Sequence, residues 1–596
     1  RYQRIQGIAD INPLFLIKQF AETIQSRDIS VNDYAAHRKM NDTQIRSLFM
    51  SLSSQGFLTY NSNTDRAMIK DKLYYYISAN SGKSDYDILE FGSQITARSN
   101  ATINLLNYDI NMQGVPRVML SDTQRVYVEP ADQQLTLKKN RDFTFNGRVR
   151  AGRFDFRGRE FTFLYNDFKI LLKNVDSLAM RIPGSQPNEN GQVPNVALQS
   201  ALQNLTGYLE IDRPENKSSI KKSPEYPRFT SEGPGYVYYD KPSIYNGVYA
   251  RDRFYFQVNP FTLDSLDNFS AGALSFQGKL VSGGIFPDIQ ETLTIQEDLS
   301  LGFKQELQPA GLAAYGGKGQ YYEKIRLDNQ GLTGAGAIKY LTSTSTSESY
   351  KFFPDSTSAT GVQFDLAKGT AGGVIFPPGK GSQVDMNWRP ALDNMQLTKT
   401  SSDFIVYDGQ VKQDGKLILT AQGLTGNGKA SFDRAALVSK LIKYDETVFS
   451  ADTSDFVLDS EDPGRPALAT TNMKSYVDLK NRYGDFISNG LGSYVTFPYN
   501  QYKCFIDRFR WLMDEKNVMF EDKTASKGSK MGIPGAEFIS IDPAQDSLRW
   551  YAEEAVYSLA DYIIRASGVK EIAVADAKVY PDSSKLIVGT DALIQP

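Results

Sequence analysis

The 596-residue chain sets 66 Lys and Arg against 69 Asp and Glu, a formal net charge of −3, so the basic footprint of a nucleic-acid-binding protein is missing. One Cys and one His exclude an internal disulfide framework, a His-based triad and a multi-histidine zinc centre from this sequence. The 34 Tyr, 34 Phe, 46 Gly and 25 Pro are the composition of a β-rich chain with many turns, longer than the roughly 100–200 residues of one domain.

Residues 1–82 read as a helical segment. INPLFLIKQFAETIQ spaces Leu14, Ile17, Phe20 and Ile24 on one helical face, entered through Asn12–Pro13. DYAAHRKM and NDTQIRSLFMSLSSQG predict two more helices, the second capped at Asn41 or Asp42 and stopped at Gly56. FLTYN, the turn SNTDR and AMIKDKLYYYIS then alternate as a hairpin, completing a winged-helix-like outline. A DNA-binding reading would place Thr43 to Ser54 on the duplex. In an acidic chain the expectation is instead a small helical adaptor with Leu48, Phe49 and Leu52 buried.

Residues 83–310 alternate apolar and polar with period two, the signature of antiparallel sheet with one buried face. In RFDFRGREFTF, Phe154, Phe156, Phe161 and Phe163 point one way, and Arg153, Arg157 and Arg159 are left for solvent. Residues 184–195 and 212–235 are dense in Pro, Gly, Ser and charge and predict long surface loops. TSTSTSES from Thr342 and residues 522–535 read as further polar interruptions.

Residues 311–535 contain one hexapeptide frame twice: GLTGAG at Gly331 and GLTGNG at Gly423. No Lys-Ser/Thr follows either copy and no helix opens, so a phosphate-cradling loop does not fit. Glycines permit sharp turns and close strand crossings. Gly334, Gly336, Gly426 and Gly428 are therefore expected at corresponding positions of two stacked units. Residues 536–596 read as a run of short strands.

Chemistry-bearing constellations are sparse. His37 falls in the helical segment, and Cys504 falls in a strand-like run where a buried inert thiol is expected. The carboxylate pairs Asp264/Asp267, Glu553/Glu554 and Asp452/Asp455 sit at turns or on solvent faces. No catalytic, metal-binding or cofactor-binding residue is assigned, and no cofactor is expected. Asp176-Ser177-Leu178, Asp264-Ser265-Leu266 and Asp546-Ser547-Leu548 match an Asp-Ser/Thr-apolar O-glycosylation acceptor, and also a common turn dipeptide. Ser177, Ser265 and Ser547 are the candidate acceptors, expected at exposed strand ends.

NRDFTFNGRVRAGRFDFRGREFTFLYNDFKILLKNVDSL, VYYDKPSIYNGVYARDRFYFQVNPFTLDSLDNFS, the two GLTGxG stretches and VADAKVYPDSS resemble a family of very large Bacteroidota proteins. The resemblance implies a periplasmic or outer-membrane location in a Gram-negative envelope and a longer parent chain; it implies no particular activity. The cadence of DSLRWYAEEAVYSLADYIIRASGVKEIAVADAKVYPDSSKLIVG more loosely resembles lipopolysaccharide-transport and AsmA-like bridge proteins, which shelter acyl chains in an apolar groove.

The expectation is a mainly β, elongated antiparallel repeat protein with a small winged-helix-like segment at its start. It is read as a non-enzymatic envelope scaffold or interaction surface whose partners are other envelope proteins, with no nucleic acid and no transmembrane helix. The alternative is a lipid bridge with an apolar groove; a carboxylate-based glycan-active enzyme is third. The inner face of the sheet discriminates among them.

Overall fold

The computed structural model describes residues 12–81, 83, 89–94, 99–184, 186–187, 193–218, 221, 223–521, 534–574 and 576–595. It is mainly β, with large antiparallel sheets and a few helices near the start of the chain. The chain forms two compact units: residues 1–238, 255–280 and 290–302, and residues 239–254, 281–289 and 303–596.

The first unit opens with four helices: α1 (Pro13–Thr23), α2 (Val31–Arg38), α3 (Asp42–Ser54) and α4 (Asp71–Asn80). Strands Asp28–Ser30, Leu58–Asn61 and Arg66–Ile69 form a small sheet in which the last pairs with both others. These elements follow one another as helix–strand–helix–helix–strand–strand–helix. Asn12 caps α1, and Asn41 caps α3 in a reciprocal capping box with Gln44, satisfying amide groups that the first helical turn leaves open. Leu14, Ile17, Phe20, Tyr34, Leu48, Phe49 and Leu52 share one buried core. The hairpin expected over 57–78 ends earlier, because Asp71–Asn80 is helical. Leu73 and Ile77 lie one turn apart and are both buried, and this spacing outweighs the strand preference of three consecutive tyrosines.

The rest of this unit carries a sheet running through strands Thr262–Leu263, Arg228–Ser231, Leu205–Glu210, Lys169–Pro183, Phe154–Leu164, Phe143–Ala151, Leu135–Leu137, Ile110–Met112 and Ala101–Ile103, with Val126–Pro130 also on Phe143–Ala151. Phe154, Phe156, Phe161 and Phe163 are all buried. The stretch 212–235 is not simply a loop. It contains strand Arg228–Ser231, and Asp212 is buried, accepting hydrogen bonds from Gln124 Nε2 (3.1 Å), Asn216 Nδ2 (3.1 Å) and the Arg213 amide (2.7 Å).

In the second unit, long strands follow one another as antiparallel neighbours: Gly319–Asp328, Gly331–Tyr340, Ser343–Phe352, Thr357–Leu366, Gly379–Arg389, Val411–Thr420, Gly423–Phe432, Ala435–Tyr444 and Val448–Leu458. Short strands Asn394–Thr398 and Phe404–Val406 together bridge Gly379–Arg389 to Val411–Thr420. TSTSTSES is therefore strand rather than interruption. Ser343, Ser345 and Ser347 turn inward and Thr344 and Thr346 outward, an alternation that β-branched threonines suit.

The two copies of the hexapeptide correspond residue for residue at an offset of 92 (423 − 331). Leu332 and Leu424 are buried, and Thr333 and Thr425 approach the carbonyls of Arg326 and Ile418, each at 3.5 Å. In both copies the register with the following strand slips at one place, between Gly334 and Gly336 and between Gly426 and Gly428. Such a bulge bends a strand and frees carbonyls from the ladder. The extra residue lies on the following strand, Glu348 and Ser349 against Ala335 and Lys440 and Leu441 against Asn427. Facing it, Gly336 and Gly428 take φ of +145° and +124°, and a Cβ there would overlap the carbonyl oxygens of Tyr322 and Asp414.

Gly334 and Gly426 have a different role: they leave room for an inward polar side chain. In the first copy Tyr321 fills that space and donates to the Lys324 carbonyl at 2.5 Å, and Tyr350 donates to the Ser345 carbonyl at 2.6 Å. In the second copy Gln413, 92 positions after Tyr321, donates to the carbonyls of Asp414 (2.7 Å) and Asn427 (3.2 Å), while Tyr444 donates to its Oε1 at 2.5 Å. The corner ahead of each copy also repeats. Tyr315-Gly316-Gly317 and Tyr407-Asp408-Gly409 are left-handed throughout. The Tyr315 hydroxyl lies 2.9 and 2.7 Å from the carbonyls of Phe353 and Ser356; that of Tyr407 lies 2.8 and 2.7 Å from those of Asp445 and Val448.

After Leu458 the long strands give way to short ones in two ladders. One runs through Met473–Asp478, Tyr483–Ser488, Arg508–Leu512, Asn517–Glu521, Glu554–Ser558, Ile563–Ser567, Lys585–Val588 and Ile594–Gln595. The other runs through Leu468–Thr471, Tyr494–Phe497, Tyr502–Phe505, Ala536–Ser540, Arg549–Ala552, Ile572–Val574 and Ala577–Val579. Past the opening strands the chain lays a hairpin in one ladder, then a pair of strands in the other. Phe497 of one ladder meets Phe520 and Tyr557 of the other at 5.5 and 4.9 Å, and Asn500 Nδ2 donates across to the carbonyls of Tyr562, Val588 and Gly589.

Two predictions follow from the bulge. Gly336→Ala and Gly428→Ala each lower unfolding stability by more than about 1 kcal/mol, whereas Gly464→Ala, with the nearest atom 3.5 Å from its Cβ, stays within about 0.5 kcal/mol. Gln413→Leu leaves two carbonyls and the Tyr444 hydroxyl without their partner and costs about 2–4 kcal/mol in the same denaturant titration.

Candidate functional site

The carboxylates singled out in the sequence do not converge. Asp264 pairs with Arg228 at 2.5 Å, Asp452 with Lys443 and Lys474 at 3.3 and 3.2 Å, and Glu553 with Lys570 at 3.4 Å. Asp455 accepts from the Asn472 amide at 2.9 Å, and burial raises the carboxyl of Asp267 above its ordinary range. Among the described residues no group of three or more His, Cys, Asp or Glu is arranged to hold a metal ion. Cys504 is fully buried in strand Tyr502–Phe505. No helix among the described residues is long and apolar enough to cross a membrane.

The three candidate serines occupy three different environments. Ser547 is exposed in a turn and has a left-handed backbone. Ser265 is also in a turn, but its hydroxyl donates to the Pro224 carbonyl at 2.5 Å. Ser177 is not at a strand end: it lies half-buried inside Lys169–Pro183, opposite Arg157. That strand continues because pairing with Phe154–Leu164 resumes after the register shift at Arg157/Gly158. Leu178 and Leu266 are fully buried and Leu548 is half-buried.

Helix α3 turns Thr43, Gln44, Ser47, Met50 and Ser54 outward, none of them charged. Its arginine, Arg46, is already engaged. It forms a two-point ion pair with Asp65, Nη2 to Oδ2 at 2.5 Å, and Tyr60 donates to the same carboxylate at 2.7 Å. Those hydrogen bonds, Arg46 first, hold the Asp65 carboxyl below its usual range.

A dense cluster of charged side chains lies on the outward face of the first unit's sheet. Val126, Val128, Val149, Ala151, Phe154 and Phe156 point into the core, so period-two alternation sends Tyr127, Glu129, Arg148, Arg150, Asp155 and Arg157 outward. Asp155 keeps only 4 % side-chain exposure and binds Arg148 at 2.7 Å and Arg181 at 2.6 Å, with Arg150 at 3.8 Å. Glu129 holds Arg117 at 2.7 Å and Arg148 at 3.0 Å. Burial works against the charge of Glu129, but Arg117 and Arg148 outweigh it and lower its carboxyl below the ordinary 4.5. Its share of stability is therefore complete above that pH and lost as pH falls through the lowered value. Arg117 stacks over Tyr127, 4.2 Å from the ring centroid. Arg157 stands directly across the strand pair from Arg148 and, among the described residues, has no carboxylate within ion-pair distance. The alternation in RVRAGRFDFR signals this face; its Asp155 centre is less legible, because one aspartate among arginines reads as an ordinary surface pair.

A cleft of about 910 Å³ lies on the second unit, lined among others by Thr342, Phe364, Asp365, Lys380, Asp403 and Lys412. Asp403 is neutralised by Lys399 at 2.6 Å, and no tyrosine or tryptophan lines the cleft for stacking against a sugar ring.

Comparison with protein-family models, with curated proteins and with solved structures finds no match to this chain.

Asp155→Ala strands three guanidinium groups around an empty centre. The expected cost is about 3–5 kcal/mol in chemical denaturation, against no more than about 0.5 kcal/mol for the exposed Arg157→Ala.

Proposed function

We propose that this protein is a non-enzymatic β-repeat scaffold of a Gram-negative cell envelope, presenting its sheets to other envelope proteins. The observation that carries the reading is the interior between the two carboxy-terminal ladders. Phe486, Phe497, Phe509, Phe520, Phe538, Trp550 and Tyr557 are buried there and stacked on one another. A space filled by close-packed aromatic rings has no room for acyl chains, which favours a scaffold over a lipid bridge. The scattered, paired carboxylates favour it over a glycan-active enzyme. The ion-paired Arg46 and the neutral outer face of α3 favour an adaptor role for the winged-helix-like segment over duplex binding.

The test is recovery of the protein from its native cells by fractionation, cross-linking and mass spectrometry. The expected result is an envelope fraction, cross-links to other envelope proteins, no stoichiometric co-purifying lipid, and hexose-bearing mass at the exposed Ser547 but not at Ser177. A cytoplasmic fraction, a bound lipid, or duplex-DNA affinity at physiological salt would overturn the reading.

A further inference from the structure

The arginine face has more positive charge than its own fold consumes. Arg117, Arg148, Arg150, Arg157 and Arg181 stand against Glu129 and Asp155, an excess of three positive charges (5 − 2) in a chain of net charge −3. Two acids are enough to fix the geometry. Asp155 gathers three guanidinium groups at its edge, and Glu129 braces Arg117 and Arg148. Arg157 is left over. It faces Arg148 in direct cross-strand register, a like-charge pair that is unfavourable when left unscreened. Its other cross-strand neighbour is Ser177, whose position puts a hydroxyl beside the guanidinium.

We propose that this face is a binding site for an anionic polysaccharide, a sugar chain bearing uronate carboxylates. Guanidinium groups recognise carboxylates through paired, coplanar hydrogen bonds, and Arg157, which has no carboxylate partner among the described residues, supplies the electropositive point of attachment. Neighbouring strands set their side chains about 4.8 Å apart and alternate residues on one strand about 6.6 Å apart, so the charges form a flat array suited to a chain of acidic sugars. Ser177 and Tyr127 contribute the hydroxyl and ring surface that such sugars also use. A lipid surface is the poorer partner, since the outward positions of strands Val126–Pro130, Phe143–Ala151 and Phe154–Leu164 near the arginines carry Tyr, Arg, Glu and Asp and no aliphatic side chain long enough to insert. Nucleic acid is disfavoured because the whole chain carries a net charge of −3. The inference rests on the arginine face alone and does not depend on the scaffold reading.

The experiment is equilibrium binding of the full chain to polygalacturonate, with neutral dextran, phosphatidylcholine vesicles with and without phosphatidylglycerol, and duplex DNA as the other arms. The expected result is polygalacturonate binding that weakens steeply with salt, no dextran binding, and weaker or no binding to vesicles and DNA. Arg157→Glu is expected to lower polygalacturonate affinity at least about tenfold at low salt, with Arg157→Lys intermediate. Both variants should keep the parent's thermal unfolding, because Arg157 lies outside the Asp155 and Glu129 pairs. Absence of polygalacturonate binding, unchanged affinity in a folded Arg157→Glu protein, or tighter binding to phosphatidylglycerol vesicles or DNA would each overturn the proposal. Localisation of the protein bears on none of these outcomes, so the scaffold reading stands or falls separately.

Discussion

Bending a long β-strand breaks its ladder, and the carbonyls released at the bend must find donors inside the protein. The repeated strands of the second unit meet this constraint at one position in each copy. Tyr321 reaches the Lys324 carbonyl in the first copy; Gln413 reaches those of Asp414 and Asn427 in the second. An unpaired buried carbonyl costs about 1–3 kcal/mol, so the bend is tenable only with its cap. The glycines follow from that requirement. One gives the cap its space and the other takes a positive φ opposite the bulge, and together they account for the G-x-G that ends the hexapeptide. The cap changes from phenol to amide, and its acceptors change with it: the counterpart of Lys324 is Lys416, whereas Gln413 reaches Asp414 and Asn427.

The carboxy-terminal region reaches a two-layered arrangement by another route. Its strands are too short to span both layers, so the chain distributes successive strand pairs between two ladders and closes the space between them with aromatic rings. Asn500 ties the ladders at one end by donating to three carbonyls. Both routes end in a sheet whose inner face is filled and whose outer face carries charge and hydroxyl groups. On the first unit the outward face carries the arginine array around Asp155.

Period-two alternation made the β-character and the inward phenylalanines legible, since a residue's face follows directly from its parity along a strand. The hexapeptide was legible as architecture because neither copy has the lysine or helix that phosphate binding needs. What escaped depends on partners distant in sequence. Asp71–Asn80 looks like strand until Leu73 and Ile77 find the helical core. TSTSTSES looks like loop until the inward serines find room beside Tyr350, and Asp212 looks solvated until Gln124 and Asn216 close over it. Ser177 reads as a turn residue by its dipeptide but belongs to a fifteen-residue strand. The convergence of three arginines on Asp155 needs the register of three strands, which no local pattern contains.

The two hexapeptide strands face equivalent bulges of the following strand at one corresponding place. Hydrogen exchange resolved to single amides tests this correspondence directly. Gly331–Tyr340 and Gly423–Phe432 should show the same protection profile at an offset of 92 (423 − 331), with slow exchange on either side and a local minimum at Gly334–Gly336 and Gly426–Gly428, where the register with the following strand shifts. Uniform protection through both bulges, or two profiles that do not align at that offset, would contradict it.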